Sequence, residues 1–273
     1  QTGEMSGLIP GGQSFNINLM ANTNGMDSGS YFNVLTISSD QVEPQSIPIQ
    51  LEVSGDSSLI TIPIINIDQS ETGIVDIPDT VDPRISSVFQ KYTHLQISDE
   101  GVIPILSQSE VLDSQILHVK KVLNEYLTDV PFTNWGNNKN SLNNALSMSN
   151  AFLIILNDED EYENPNLEIL FNNGVEGQDL LGIEIYPEGS DYYMNSSKRD
   201  ATYEEVLHFI HYYGIRHVFP TMQAAIDEAM NIAMSSGNYI PLSDLPVEDY
   251  DDEYFALITE VYFGIWAHDP EED

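Results

Sequence analysis

Cysteine is missing from this chain of 273 residues. Its absence excludes a disulfide framework and a metal site built on thiolates. It does not decide the cellular compartment, because a chain without cysteine is compatible with oxidising and with reducing surroundings.

Basic residues are scarce as well. The chain has 8 Lys and Arg against 44 Asp and Glu, which gives a formal net charge of −36. Such a charge argues against a nucleic-acid backbone or an anionic lipid surface as partner, because like charges repel, and favours metal cations instead. It also suits a saline medium, because salt at 0.1 M screens charges beyond about 10 Å. We therefore expect an acidic protein outside the cell or on its surface, in a saline environment.

Long apolar runs are the third absence. No stretch reaches the roughly 18 apolar residues of a transmembrane helix, so we expect no membrane span. The chain is nevertheless 41% hydrophobic, which is enough for an ordinary core, and its length favours two domains. It begins at Gln1 without an initiator Met or a signal peptide, which predicts a mature product or a part of a longer protein.

The first part of the chain, residues 1–80, predicts an all-β module. Short runs rich in β-branched and aromatic residues are separated by Gly, Asn, Asp, Ser and Pro, without a helical period. Strands are expected at residues 15–19, 31–38, 46–53, 59–67 and 73–77. Pro78 and Pro83 then predict a linker, because proline blocks both helix and central strand.

Short motifs in about the first 55 residues resemble the last strands of immunoglobulin-like modules of the abnormal-spindle/hydin type. These motifs are Gly11-Gly12 before a strand, Gly29-Ser30-Tyr31 opening the next strand, and Ser38-Ser39-Asp40 closing it. The resemblance implies a β-sandwich, which needs about seven strands. Because too few strands precede Gly55, we expect an incomplete sandwich. The module is either cut, or completed by later strands, or completed by a neighbouring chain at an open β edge.

Residues 85–273 predict a second domain of the α+β class, mostly helical in its second half. The apolar periodicity alternates between helical and strand patterns along this region. Helices are expected at residues 109–127, 141–149, 201–213, 221–235 and 251–266, and strands at residues 151–156 and 181–186.

Most of the functional information lies in the helix predicted at residues 201–213. Glu204, Glu205, His208 and His211 follow one another closely enough to share one broad face of that helix. The two glutamates lie in its first turn, where the helix dipole favours negative charge. Gly214 is expected to end the helix as a left-handed cap.

A second helix adds carboxylates. Glu253 and Glu260 lie seven residues apart in the helix predicted at residues 251–266 and therefore share a face. Together the two helices give five candidate metal ligands, which are Glu204, His208, His211, Glu253 and Glu260.

The segment from Glu204 to His208 is close to the His-Glu-x-x-His motif of zinc peptidases. In that motif two histidines bind zinc and the Glu after the first histidine is the general base. Here the first ligand position holds Glu204 instead of His, so the match is degenerate. An anionic ligand lowers the charge on the metal centre compared with a neutral imidazole.

The sequence Glu253-Tyr254-Phe255-Ala256 resembles the Glu-x-Phe-Ala element of gluzincin peptidases related to anthrax lethal factor. In that family this element supplies the third zinc ligand. The resemblance covers the two helices and implies a zinc metallopeptidase-like domain. The residues it implies are Glu204, His208 and Glu253 as zinc ligands, Glu205 as general base, and Tyr250 or Tyr213 as oxyanion stabiliser.

Other interpretations stay open. The acidic loops at residues 68–73 and 157–164 offer the clustered oxygens that calcium prefers, although neither has the spacing of an EF-hand. Glu205 and His208 also form the Glu-x-x-His unit of di-iron bundles, but such bundles need two copies.

The leading hypothesis is a secreted or surface protein whose C-terminal domain binds zinc and either hydrolyses peptide bonds or is an inactive relative of such enzymes. The alternative is a non-catalytic extracellular structural or adhesive module that is acidic and binds calcium. An enzyme requires three ligands that converge around an open coordination position. A structural protein would instead pair Glu204 and His208 with each other or with Arg199 and Arg216.

Overall fold

A computed structural model describes residues 29–39, 42–53, 60–98, 101–173, 175–187, 189–190, 199–243 and 245–265. Its N-terminal region is rich in β structure and its C-terminal region is helical. Within these residues, no helix has both the length and the apolar character needed to cross a membrane.

The first sheet is an antiparallel hairpin. Strand β1 (Gly29–Ser39) pairs with β2 (Val42–Val53). The strands predicted at residues 31–38 and 46–53 are thereby confirmed, whereas the strand predicted at residues 15–19 lies outside the described residues.

The second sheet has five strands in the order β3-β4-β5-β6-β7. β4 is antiparallel to both of its neighbours, β3 and β5, and β6 and β7 then add parallel strands. Every residue of β6 is buried, as expected for an apolar strand covered on both faces. The strands are β3 (Val75–Asp76), β4 (Lys91–Gln96), β5 (Val102–Ser107), β6 (Phe152–Leu156) and β7 (Gly177–Leu181).

Two strand predictions are wrong. Residues 60–67 form no strand, although Ile60 is buried, and Pro63 within them lacks the N–H that a central strand would need. The strand predicted at residues 181–186 begins earlier, as β7, and Gly182–Glu184 forms a 3-10 turn instead. The polar residues at the start of β7 hid this strand from a search for apolar runs.

The predicted helices are all present, with ends shifted by a few residues. Three further short helices are present among the described residues, and two of them, α1 and α4, begin with a proline at the first helical position, where its missing N–H costs nothing. The helices are α1 (Pro83–Ser86), α2 (Asp113–Leu127), α3 (Asn140–Met148), α4 (Pro165–Asn172), α5 (Thr202–Ile210), α6 (Arg216–Val218), α7 (Pro220–Ser236) and α8 (Tyr250–Phe263).

The predicted cap at Gly214 is also wrong. Helix α5 does not end there, because it continues through a π-helical turn (His211–Ile215) into α6. A side chain at Gly214 would meet Leu142 and Leu146 of α3. The glycine is therefore explained by the close approach of α3, not by a left-handed backbone.

Helices cover both faces of the five-stranded sheet. One face packs against α2, α3 and α5 and forms the larger core, with residues such as Ile105, Leu153 and Phe209. The other face packs against α1 and α4, with Ile154 and Leu170 in its core. β3 belongs to this sheet although it precedes the predicted linker, and Asp82 within that linker caps α1.

The hairpin rests on the helical layer. The ring of Phe32 in β1 lies 4.7 Å from the ring of His217 in α6, measured between centroids. Phe32 and Val34 also pack against the larger core. Among the described residues, β1 and β2 pair only with each other.

Candidate metal centre

The start of α5 is held by the buried Asp200. Its Oδ1 accepts hydrogen bonds from the backbone N and the hydroxyl of Thr202, at 3.2 and 2.6 Å. Its Oδ2 lies 2.6 Å from Nε2 of His118 in α2. Because Val206 and Phe209 are buried in the larger core, the opposite side of α5 faces α8. Glu204 and His208 lie on that side, and Glu205 lies beside them, toward β7.

Three of the predicted ligands converge. Glu204, His208 and Glu253 each offer one ligand atom, and these atoms all lie within 4.8 Å of one another. Ligand atoms around a tetrahedral zinc with bonds of about 2.1 Å would lie about 3.4 Å apart. The three side chains would therefore move inward by about 1 Å to close on an ion. The Glu253 side chain is 38% exposed, so the group opens to solvent on the α8 side.

The imidazole of His208 is the most informative member of the group. Its Nε2 is buried and has no hydrogen-bond partner among the described residues. It lies 4.0 Å from Oε1 of Glu253. Buried polar atoms are nearly always satisfied, so an exception calls for an explanation such as an ion. On the other side of the ring, Nδ1 lies 3.6 Å from Oε2 of Glu205.

The charges of the site are strongly coupled. Burial lowers the pKa of His208, but the carboxylates of Glu205, Asp252 and Glu253 outweigh burial and raise that pKa to about 9. Burial raises the pKa of Glu205 and of Glu253, and the neighbouring Glu204 raises both further. Without a bound cation, His208 is thus the positive charge among these carboxylates.

Arg199 supplies a second positive charge. Its NH1 donates to Oε2 of Glu204 at 2.5 Å and to Oε2 of Glu260 at 2.7 Å. Burial lowers the pKa of Arg199, but Glu204 and Glu260 raise it by more. Glu260 is therefore held by Arg199 and is not brought into the group of three, although it lies on the predicted helix face.

Glu205 is held from the edge of the sheet. Nε2 of Gln178 in β7 donates to Oε2 of Glu205 at 2.7 Å. The next residue of β7, Asp179, accepts a hydrogen bond from the hydroxyl of Tyr162 at 2.5 Å. No sequence pattern pointed to Gln178 or Asp179, because only the strand pairing brings them beside α5.

The remaining predicted residues lie elsewhere. The ring nitrogens of His211 contact Asp252 and Gln223, so His211 is not brought into the group. Tyr213 lines a cavity of about 570 Å³ against the hairpin. The backbone carbonyl of Tyr250 accepts a hydrogen bond from Tyr239. Neither tyrosine is placed beside the three ligands by a contact.

The acidic loop predicted for calcium at residues 157–164 has internal partners. Asp158 caps the 3-10 turn Glu159–Glu163, and Glu161 accepts hydrogen bonds from Gln108 and Asn164. In the described part of the chain, the one group that gathers three His or carboxylate ligand atoms is Glu204, His208 and Glu253.

Comparisons of the chain with protein-family models, with curated proteins and with solved structures found no match.

Proposed function

We propose that this protein is a metal-dependent peptidase of a gluzincin-like kind, in which Glu204, His208 and Glu253 hold a zinc ion and Glu205 is the general base. The observation that carries the proposal is the convergence of these three side chains from α5 and α8 around Nε2 of His208, which has no hydrogen-bond partner in the described part of the chain. Peptide or protein would be the substrate, and the acidic composition favours a secreted or surface location.

The donor set suits a divalent cation. Two carboxylates and one neutral imidazole are all ligands that zinc accepts, and three protein ligands leave one position open. When bound, zinc would supply a Lewis acid at the open side of the group. The wide spacing of the ligand atoms fits a site that closes on its ion.

Glu205 suits the role of a proton acceptor. Burial raises its pKa, and a base works best when its pKa approaches the working pH. The hydrogen bond from Gln178 to Oε2 fixes the carboxylate on the side of α5 that faces β7. Glu205 would accept the proton of a water molecule held between this carboxylate and the metal ligands.

A positive charge lies beside the ligand that departs from the His-Glu-x-x-His motif. Glu204 carries a negative charge where the motif has a neutral imidazole, and the guanidinium of Arg199 lies against it. The same guanidinium also binds Glu260, so Arg199 offsets part of the charge of the anionic ligand and orients it, as outer partners of metal ligands commonly do.

The experiment that tests the enzymatic part compares Glu205→Gln with the wild-type protein on a mixed peptide library. We expect Glu205→Gln to abolish hydrolysis and to keep the wild-type zinc content. Glu168→Gln, an exposed position of α4, is the matched control and should retain full activity. Hydrolysis that persists in Glu205→Gln would remove Glu205 from the mechanism.

A second candidate function is a non-catalytic surface or matrix module. The observation that favours it is the pairing of Glu204 with Arg199, which already neutralises one of the three ligands. In this account the acidic surface collects calcium, and copies of the protein or other chains assemble with it. It predicts no bound transition metal under zinc-replete conditions and a concentration-dependent sedimentation coefficient.

A further inference from the structure

A buried polar network lies beside the three ligands and connects the end of α5 with the first turn of α8. His211 is its centre and has no solvent exposure. Its Nδ1 contacts Oδ1 of Asp252, and its Nε2 lies 2.8 Å from Oε1 of Gln223. Neither interaction uses an atom of Glu204, His208 or Glu253.

The hydrogen-bond roles in this network can be assigned. Nε2 of Gln223 donates to Oδ1 of Asp227 at 2.8 Å and to Oδ2 of Asp251 at 2.6 Å. Because carboxylates only accept, the amide nitrogen of Gln223 must lie on that side and its oxygen must face His211. Nε2 of His211 then donates to Oε1 of Gln223, and Nδ1 faces Oδ1 of Asp252, so both ring nitrogens of this buried side chain have a partner.

Arg216 forms a second anchor for the same turn. Its NH2 donates to Oδ1 of Asp251 at 2.7 Å and to the backbone carbonyl of Glu248 at 3.2 Å. His211 and Arg216 both lie in the segment that follows α5 directly. Asp251 and Asp252 are the two residues that precede the ligand Glu253.

The first turn of α8 needs such anchors. It carries three consecutive carboxylates, Asp251, Asp252 and Glu253, and the last of these faces Glu204 and Glu205 across the site. Repulsion between the carboxylate of Glu253 and those of Glu204 and Glu205 pushes α8 away from α5. The guanidinium of Arg216 opposes that repulsion at Asp251, and the hydrogen bonds of His211 fix the position of the turn.

We propose that His211, with Arg216, is a positioning residue that holds Glu253 within reach of Nε2 of His208 by clamping the two aspartates before it. This inference rests on the proposed metal site. It gives His211 a role outside the ligand set, and it makes the segment after α5 a determinant of metal affinity.

The experiment measures the affinity for zinc and the visible spectrum of the cobalt(II)-substituted protein in His211→Phe and Asp252→Asn. We expect each variant to bind zinc about tenfold or more weakly than wild type, as for other outer partners of ligands, and to shift the cobalt bands. The double variant should be no weaker than the worse single variant, because the two residues act as one pair. Tyr239→Phe, which removes a hydrogen bond to the backbone of α8, is the matched control and should leave both readouts unchanged.

A purely structural role has a different signature. Lower melting temperatures with unchanged zinc affinity and cobalt spectrum in His211→Phe and Asp252→Asn would overturn the proposal while leaving the metal site intact. Failure of the wild-type protein to bind zinc would instead count against the proposed function. In that case, hydrogen exchange still tests the clamp in the metal-free protein. The amides of residues 253–256 should exchange faster in His211→Phe than in Tyr239→Phe. Equal exchange rates in the two variants would contradict the positioning role of His211.

Discussion

Nε2 of His208 lies 4.0 Å from Oε1 of Glu253, across the interface between α5 and α8. The two residues are 45 positions apart in the chain, and the packing of two helices brings them together. Nε2 has no hydrogen-bond partner among the described residues, and Glu204 offers a third ligand atom nearby. The consequences of this arrangement can be measured with and without metal.

The first prediction concerns pH and the metal-free protein. The pKa of His208 is raised to about 9 in the folded chain, against about 6.5 for an unperturbed histidine. The folded state then holds its proton more tightly than the unfolded state. The stabilisation is therefore complete below about pH 6.5 and is lost as the pH rises through 9.

Urea unfolding in the presence of a chelator, between pH 6 and 9.5, checks this prediction. The wild-type protein should lose more free energy of unfolding over this range than His208→Gln, which lacks the titrating ring. Parallel pH profiles for the two proteins would show that His208 is not held as a cation.

The second prediction concerns Arg199. Arg199→Gln leaves Glu204 and the buried carboxylate of Glu260 without their shared cation, and breaking a buried ion pair typically costs about 3–5 kcal/mol. Adding Glu260→Gln should recover part of this loss, because the buried carboxylate is then neutral. Chemical unfolding of the single and double variants measures the stability that Arg199→Gln loses and the part that Glu260→Gln restores. A double variant less stable than Arg199→Gln would contradict the assigned pairing.

The third prediction concerns the packing of the π-helical turn. Gly214→Ala would place a methyl group against Leu142 and Leu146, and overpacking of a core costs about 1–3 kcal/mol. Because Leu142 is the nearest side chain, the penalty should shrink in a Leu142→Ala background. A thermodynamic cycle of Gly214→Ala, Leu142→Ala and the double variant measures how far the penalty shrinks. The same penalty in both backgrounds would place its cause in the backbone of the turn.

Local patterns predicted much of the fold. Apolar periodicity located α2, α3, α5, α7 and α8 and the buried strand β6, because each of these elements buries one stripe or both faces. It predicted no strand at β4 or β5, and it failed at β7, whose first residues are Gly177, Gln178 and Asp179. It also missed the π-helical turn, because a single glycine reads as a helix end unless the neighbouring helix α3 is known.

The candidate site was predictable to a similar extent. Spacing within one helix brought Glu204, Glu205 and His208 together, and the likeness of the Glu-x-Phe-Ala element added Glu253. Spacing could not separate His208 from His211, since both lie on one broad face of α5 and its continuation. The partners of His211 come from α7 and α8, and only the tertiary packing reveals them.

The most direct test of the account is the metal content of the purified protein, measured by plasma mass spectrometry after zinc loading and gel filtration. The wild-type protein should carry about one zinc per chain. His208→Ala should carry none, and His217→Ala, which changes a histidine on the hairpin side, should keep the wild-type content. Equal zinc in wild type and His208→Ala, or no zinc in either, would contradict a metal centre at Glu204, His208 and Glu253.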